Sequence, residues 1–149
     1  MAEEIIEQGY RELADTILEH NPGVDLGRVR AAFELADRAH SGQKRKAGTP
    51  YVTHCVAAAQ ICAEMGLDED SIVAALLHDC IEDTAITHED IARQFGAEVA
   101  DIVEGVTKLT RVQFTSREDE QMENLRKMLM AMAKDIRVIL IKIADRLHN

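Results

Sequence analysis

Ser71-Ile72-Val73-Ala74-Ala75-Leu76-Leu77-His78-Asp79-Cys80-Ile81-Glu82-Asp83 is the stretch on which the reading of this chain turns. Ile72, Ala75 and Leu76 recur at the spacing of one helix face, and the same count continued lands on Asp79, Glu82 and Asp83. The pattern predicts one helix over 71–83 with a stripe that turns from aliphatic to acidic. Carboxylates buried beside aliphatic side chains are costly unless positive charge lies opposite, so a metal ion or basic side chains should face them. The competing reading is a helix end that has reached solvent, where acids are ordinary. For this helix taken alone, that plainer reading leads.

Working outward changes the balance. His54 follows Thr49-Pro50-Tyr51-Val52-Thr53, and Asp145 lies in the last run, Ile141 to Asn149. With His78 and Asp79 these make two imidazoles and two carboxylates. A mixed nitrogen and oxygen set suits a borderline or hard divalent ion such as manganese, iron, magnesium or zinc, with positions left for water. Spacing does not by itself bring the three segments together.

The rest of the chain reads as helical nearly throughout. Ile6, Tyr10, Leu13 and Ile17 form one amphipathic stripe, ended by Asn21-Pro22-Gly23; Val29, Ala32, Phe33 and Ala36 form a second, stopped near Gly42. A third helix is expected from near Thr53 to Gly66, and the site-bearing fourth is expected to begin around Asp68 to Ser71. Thr87 with Asp90 reads as a capping box that opens a short helix closed by Gly96. Val99, Ile102, Val103 and Val106 mark the next, and Ser116 with Asp119 a further capped start leading into Met122, Leu125, Leu129 and Met132. The methionines there read as core packing. A final helix from about Asp135 is apolar on most sides and is expected to be central. His20 and His88 sit among loop and cap signals with no assigned role, while His148 shares a helical face with Asp145.

The chain has 149 residues, 46% of them hydrophobic, which suits a single domain over 1–149 with its own core. No apolar run approaches the twenty or so residues needed to cross a membrane, and Met1-Ala2-Glu3-Glu4 is not a basic signal-peptide start. A cytoplasmic protein that does not engage a membrane is expected. Cys55, Cys62 and Cys80 sit inside expected helices, away from disulfide or zinc-knuckle spacing, and read as reduced core thiols. A formal charge of −10 argues against an extended nucleic-acid surface. Positive charge is nonetheless concentrated locally at Lys44-Arg45-Lys46, just before His54, and along the last two expected helices at Arg126, Lys127, Lys134, Arg137, Lys142 and Arg146. A basic loop beside a metal site is a plausible funnel for a phosphorylated ligand.

The order His54, His78-Asp79, Asp145 resembles the metal signature of the HD phosphohydrolase superfamily. Four words narrow the resemblance: 39–51 (Ala39-His40 through Gly42-Gln43 and Arg45-Lys46 to Pro50-Tyr51), 74–84 around His78, Glu104-Gly105-Val106-Thr107-Lys108-Leu109, and 141–149 around Asp145. Together they look like the hydrolase domain of RelA/SpoT homologues, over about residues 29–149. Cys55 stands where that family usually has proline, Cys80 where it usually has a β-branched residue, and Ala47 where some relatives carry serine.

What the resemblance implies is specific. The fold would be all-α, an HD-domain helical bundle of about seven to eight helices, and the metal, usually manganese (Mn2+), would be held by His54, His78, Asp79 and Asp145. Glu82 and Asp83 would orient the attacking water or take its proton, and Arg45, Lys46, Tyr51 and Asn149 would contact the nucleotide, with the arginine stacking on guanine. The substrate would be guanosine 3′-diphosphate 5′-diphosphate or its pentaphosphate relative. Domains of this family carry helices beyond the position of Asn149, so the chain reads either as the front part of a longer bifunctional synthetase/hydrolase or as a complete small hydrolase. Oligomeric state is not legible in the sequence.

Overall fold

Helix ends fall where side-chain oxygens and glycines put them. The computed structural model describes residues 2–43, 48–110, 122, 123, 125, 126 and 135–148. Among these it has eight helices and no strand: α1 (Ala2–His20), α2 (Leu26–Ala39), α3 (Val52–Glu64), α4 (Glu69–Leu77), α5 (Cys80–Asp83), α6 (His88–Phe95), α7 (Ala97–Thr110) and α8 (Ile136–His148). Asp25 caps α2 by accepting from the Gly27 and Arg28 amides, and Asp68 caps α4 through the Ser71 amide. The expected capping box is present at α6: the Asp90 amide donates to Thr87 Oγ1 at 3.2 Å and the Thr87 amide to Asp90 Oδ2 at 3.1 Å. Gly96 then ends the helix at φ 101°, a backbone region that strongly favours glycine.

Every residue of α4 from Ser71 to Leu77 is buried, with α2, α3, α7 and α8 packed around it. A helix that is apolar on all sides belongs in such a place. The final helix was expected to be central, and it is not. On α8 only Val138, Ile141, Ala144 and Asp145 are buried, while Ile136, Ile143 and Leu147 are exposed. α8 instead lies across α3 and α7. Its approach to α7 requires Gly105, since a Cβ at that position would fall 2.7 Å from Cγ2 of the buried Val138.

The helix predicted to run unbroken over 71–83 divides at His78-Asp79 into α4 and α5. No helix among the described residues is long and apolar enough to cross a membrane.

Candidate metal centre

The interruption at His78 is what turns its ring into the site. Its Nδ1–H donates to the Ala75 carbonyl at 2.5 Å, and that carbonyl is the one a continuing helix would offer to the Asp79 amide. Asp79 relaxes to φ −98°, ψ −2° before α5 begins. With Nδ1 committed to the backbone, the His78 ring can present only Nε2 inward.

Three elements supply the remaining groups. His54 comes from the first turn of α3, and Asp145 from the last turn of α8. His54 Nε2 lies 2.5 Å from Asp145 Oδ1; His78 Nε2 lies 3.2 Å from that same oxygen and 3.1 Å from Asp79 Oδ2. Ligand atoms of His54, His78, Asp79 and Asp145 all fall within 4.8 Å of one another. Neighbouring ligands of an octahedral ion with bonds of about 2.1 Å stand about 3 Å apart, so these separations fit one divalent ion held by two nitrogens and two oxygens.

Burial makes the cluster electrostatically demanding. It disfavours charge on both His78 and Asp145. The hydrogen bonds to Asp145 and Asp79 nevertheless overcome it on His78, pushing the imidazole up to about 10. For Asp145, burial is likewise outweighed by His54, His78 and Lys142, which hold its carboxyl well below the usual carboxylate range. Asp79 is also held low, against its burial, by His78 and by the Tyr51 hydroxyl. The His78 imidazole, favoured in its charged form, thus sets positive charge between carboxylates, a role a metal ion would take over.

Each ring or carboxylate is also held from behind. Tyr51 Oη donates to Asp79 Oδ2 at 2.7 Å, Lys142 Nζ donates to Asp145 Oδ2 at 2.9 Å, and His54 Nδ1 is hydrogen-bonded to His148 Nδ1 at 2.7 Å. The Tyr51 ring stacks at 4.7 Å on buried His40, whose Nε2 lies 3.9 Å from Cys80 Sγ. Such outer partners fix ring orientation and ligand basicity.

Of the site residues expected from sequence, His54, His78, Asp79, Asp145 and Tyr51 come together here. The Tyr51 hydroxyl is turned to Asp79. Glu82 and Asp83 form the end of α5, directly after the ligands, but their side chains lie outside the described structure, as do Arg45, Lys46 and Asn149. Lys142 at the back of Asp145 was legible only as a basic residue, although its i, i+3 spacing from Asp145 was a usable signal. The Tyr51–Asp79 bond, 28 residues apart, had no such signal. His88, assigned no role from sequence, lies 2.9 Å from Asp101 and 3.5 Å from Glu104 in a second, exposed cluster.

Residues 32–149 match the model of an HD-domain family. The bifunctional (p)ppGpp synthase/hydrolase SpoT of Escherichia coli K12 is 51% identical over 140 residues, covering 94% of this chain and 20% of that protein. The GTP pyrophosphokinase of Myxococcus xanthus is 49% identical over 137 residues, 90% of this chain and 18% of that protein. The chain thus spans about a fifth of the length of these curated relatives. A solved structure described as a metazoan orthologue of SpoT that hydrolyses ppGpp is 32% identical with a TM-score of 0.64, covering 82% of this chain and 67% of that one.

Proposed function

The chain belongs to the HD-domain family, among the RelA/SpoT homologues, and from that premise we propose that it hydrolyses the 3′-pyrophosphate of guanosine 3′-diphosphate 5′-diphosphate, releasing pyrophosphate and GDP, or GTP from the pentaphosphate. The observation that carries this reading is the convergence of four ligand atoms from His54, His78, Asp79 and Asp145 within 4.8 Å. A phosphate ester resists attack because its oxygens are negatively charged, and a divalent ion bound there would offset that charge and acidify a water. Mn2+ is the ion we assign, since the two-nitrogen, two-oxygen donor set suits it and leaves positions open.

The chain's own residues supply the rest. Asp79 and Asp145 bring two negative charges to a largely buried cluster, where positive charge is needed to offset them. Tyr51 keeps Asp79 turned inward. Glu82 and Asp83, one turn beyond Asp79, orient the attacking water or take its proton. Arg45 and Lys46 draw in the anionic substrate, with the Arg45 plane against guanine, and Asn149 contacts the nucleotide. We further assign residues 1–149 to a single hydrolase domain of a longer bifunctional protein. The three cysteines are all buried, which supports a reducing, cytoplasmic location.

The decisive experiment incubates purified protein with Mn2+ and a panel comprising guanosine tetraphosphate, deoxynucleoside triphosphates, cyclic dinucleotides and a nicotinamide dinucleotide phosphate. Release of pyrophosphate from the tetraphosphate alone is expected. Preferential turnover of another panel member would move the chain to a different HD hydrolase activity, and no turnover in a protein that binds Mn2+ would make it a regulatory module.

A further inference from the structure

Asp145 is 7% exposed, and its two oxygens face opposite tasks. Oδ1 points at His54 and His78, while Oδ2 takes the Lys142 ammonium at 2.9 Å from one turn earlier on α8. Two roles are open to such a lysine, and they have opposite signs. A lysine that merely aligns the carboxylate would help an ion to bind. A lysine that supplies charge would compete with the ion for the same carboxylate.

Geometry and Coulomb's law choose between them. Oδ1 is already oriented by two imidazoles and by a buried helix turn, so little alignment is lost without Lys142. The repulsion, by contrast, is large: a single positive charge some 5 Å from a divalent ion weakens its binding by about tenfold or more even at the dielectric constant of water. Lys142 is also partly open to water, 24% exposed in its side chain, so it can turn to solvent once the carboxylate is neutralised by other means.

We propose that Lys142 is a resident counter-charge for Asp145, standing in for part of the ion's charge while the ion is absent and weakening the ion's hold when it is present. The proposal rests on the metal reading of the site. Its consequences are an ion-free protein that folds and an ion that exchanges; loss of the lysine should make the fold depend more on the metal and the metal harder to remove.

The test is calorimetric titration of Mn2+ into the purified protein and its Lys142→Met, Lys142→Gln and Lys142→Arg variants, with thermal melts in a chelator. Lys142→Met and Lys142→Gln should bind Mn2+ about tenfold or more tightly and melt below the parent protein in chelator, while Lys142→Arg stays close to the parent in both. Unchanged or weaker binding in the Met and Gln variants, with helicity retained, would overturn the proposal. So would their failure to fold even with Mn2+ present, because a counter-charge that the ion can replace is dispensable once the ion is bound. Failure of the parent protein to bind Mn2+ at all is a separate result and would remove the metal reading itself.

Discussion

His54, His78, Asp79 and Asp145 form one cluster of imidazole and carboxylate ligands, and His88, Asp101 and Glu104 form another at the α6–α7 corner; in each the ligand atoms lie within 4.8 Å. The chemical inventory is nearly the same. Their surroundings are not. In the first, both imidazoles are 2% exposed and Asp145 is 7% exposed, whereas the Asp101 side chain in the second is 70% exposed. An exposed carboxylate keeps its water, so an ion gains little by replacing that water. A buried carboxylate has already given up hydration and needs positive charge in its place. Outer support differs as well: Tyr51, Lys142, His148 and the Ala75 carbonyl each hold one ligand of the first cluster. In the second, the ion pair of Glu104 with Lys108 at 3.4 Å belongs to an open helix face. Ligand type and proximity therefore do not distinguish a site from a surface; burial and outer partners do.

That contrast can be broken most severely at the ligands. His78→Ala or Asp79→Ala should lower metal affinity by about a hundredfold or more and abolish hydrolysis with it. Retention of stoichiometric Mn2+ in both variants, read by elemental analysis, would place the ion elsewhere. Glu82→Gln should lower turnover by about a hundredfold while leaving metal content intact; parallel loss of metal and rate would instead move Glu82 onto the ion. Arg45→Ala should raise the Michaelis constant for guanosine tetraphosphate by about tenfold with turnover little changed. An unchanged Michaelis constant at both low and high ionic strength would leave Arg45 a solvated loop residue.

Two smaller effects sharpen the comparison. The His78 imidazole is pushed from 6.5 to about 10 in the ion-free fold, so the stability it contributes is complete below pH 6.5 and is lost as pH rises toward 10. The lowered Asp145 carboxyl works at the other end: its contribution is present above the ordinary carboxylate range and is lost only on strong acidification. Melts in chelator should therefore show the ion-free protein losing stability steadily between pH 6.5 and 10, and Mn2+ binding at pH 7.5 should release about one proton, measured by calorimetry in buffers of different ionisation enthalpy. A pH-independent melt would show that His78 is already neutral without the ion. At the exposed cluster, His88→Ala should change Mn2+ stoichiometry not at all and stability by about 0.5 kcal/mol or less. Loss of one bound Mn2+ in that variant would break the contrast.

Much of the helical frame was legible beforehand. Ile6, Leu13 and Ile17, or Val29, Phe33 and Ala36, follow a periodicity set by backbone geometry, and Thr87, Asp90 and Gly96 act on amides and dihedrals within a few residues of themselves. Such interactions are local, so they can be seen in a string. The four family words were legible for a different reason, since each carries the chemistry of several residues in fixed order.

What the sequence determined by itself was the helical class, the positions of most helix ends, and the residue types able to hold a divalent ion. Only the tertiary structure decided that α4, and not α8, occupies the centre, because both are apolar and the difference lies in which neighbours cover them. It alone divided the helix at His78-Asp79, where a side chain competes for a backbone carbonyl that periodicity treats as already used. And it alone set Tyr51 behind Asp79 and Lys142 behind Asp145 while leaving His88 half-exposed beside the open Asp101. Charge and hydrogen-bonding capacity belong to residues, but their free-energy consequences depend on how much water the fold removes and which partner it puts in the water's place.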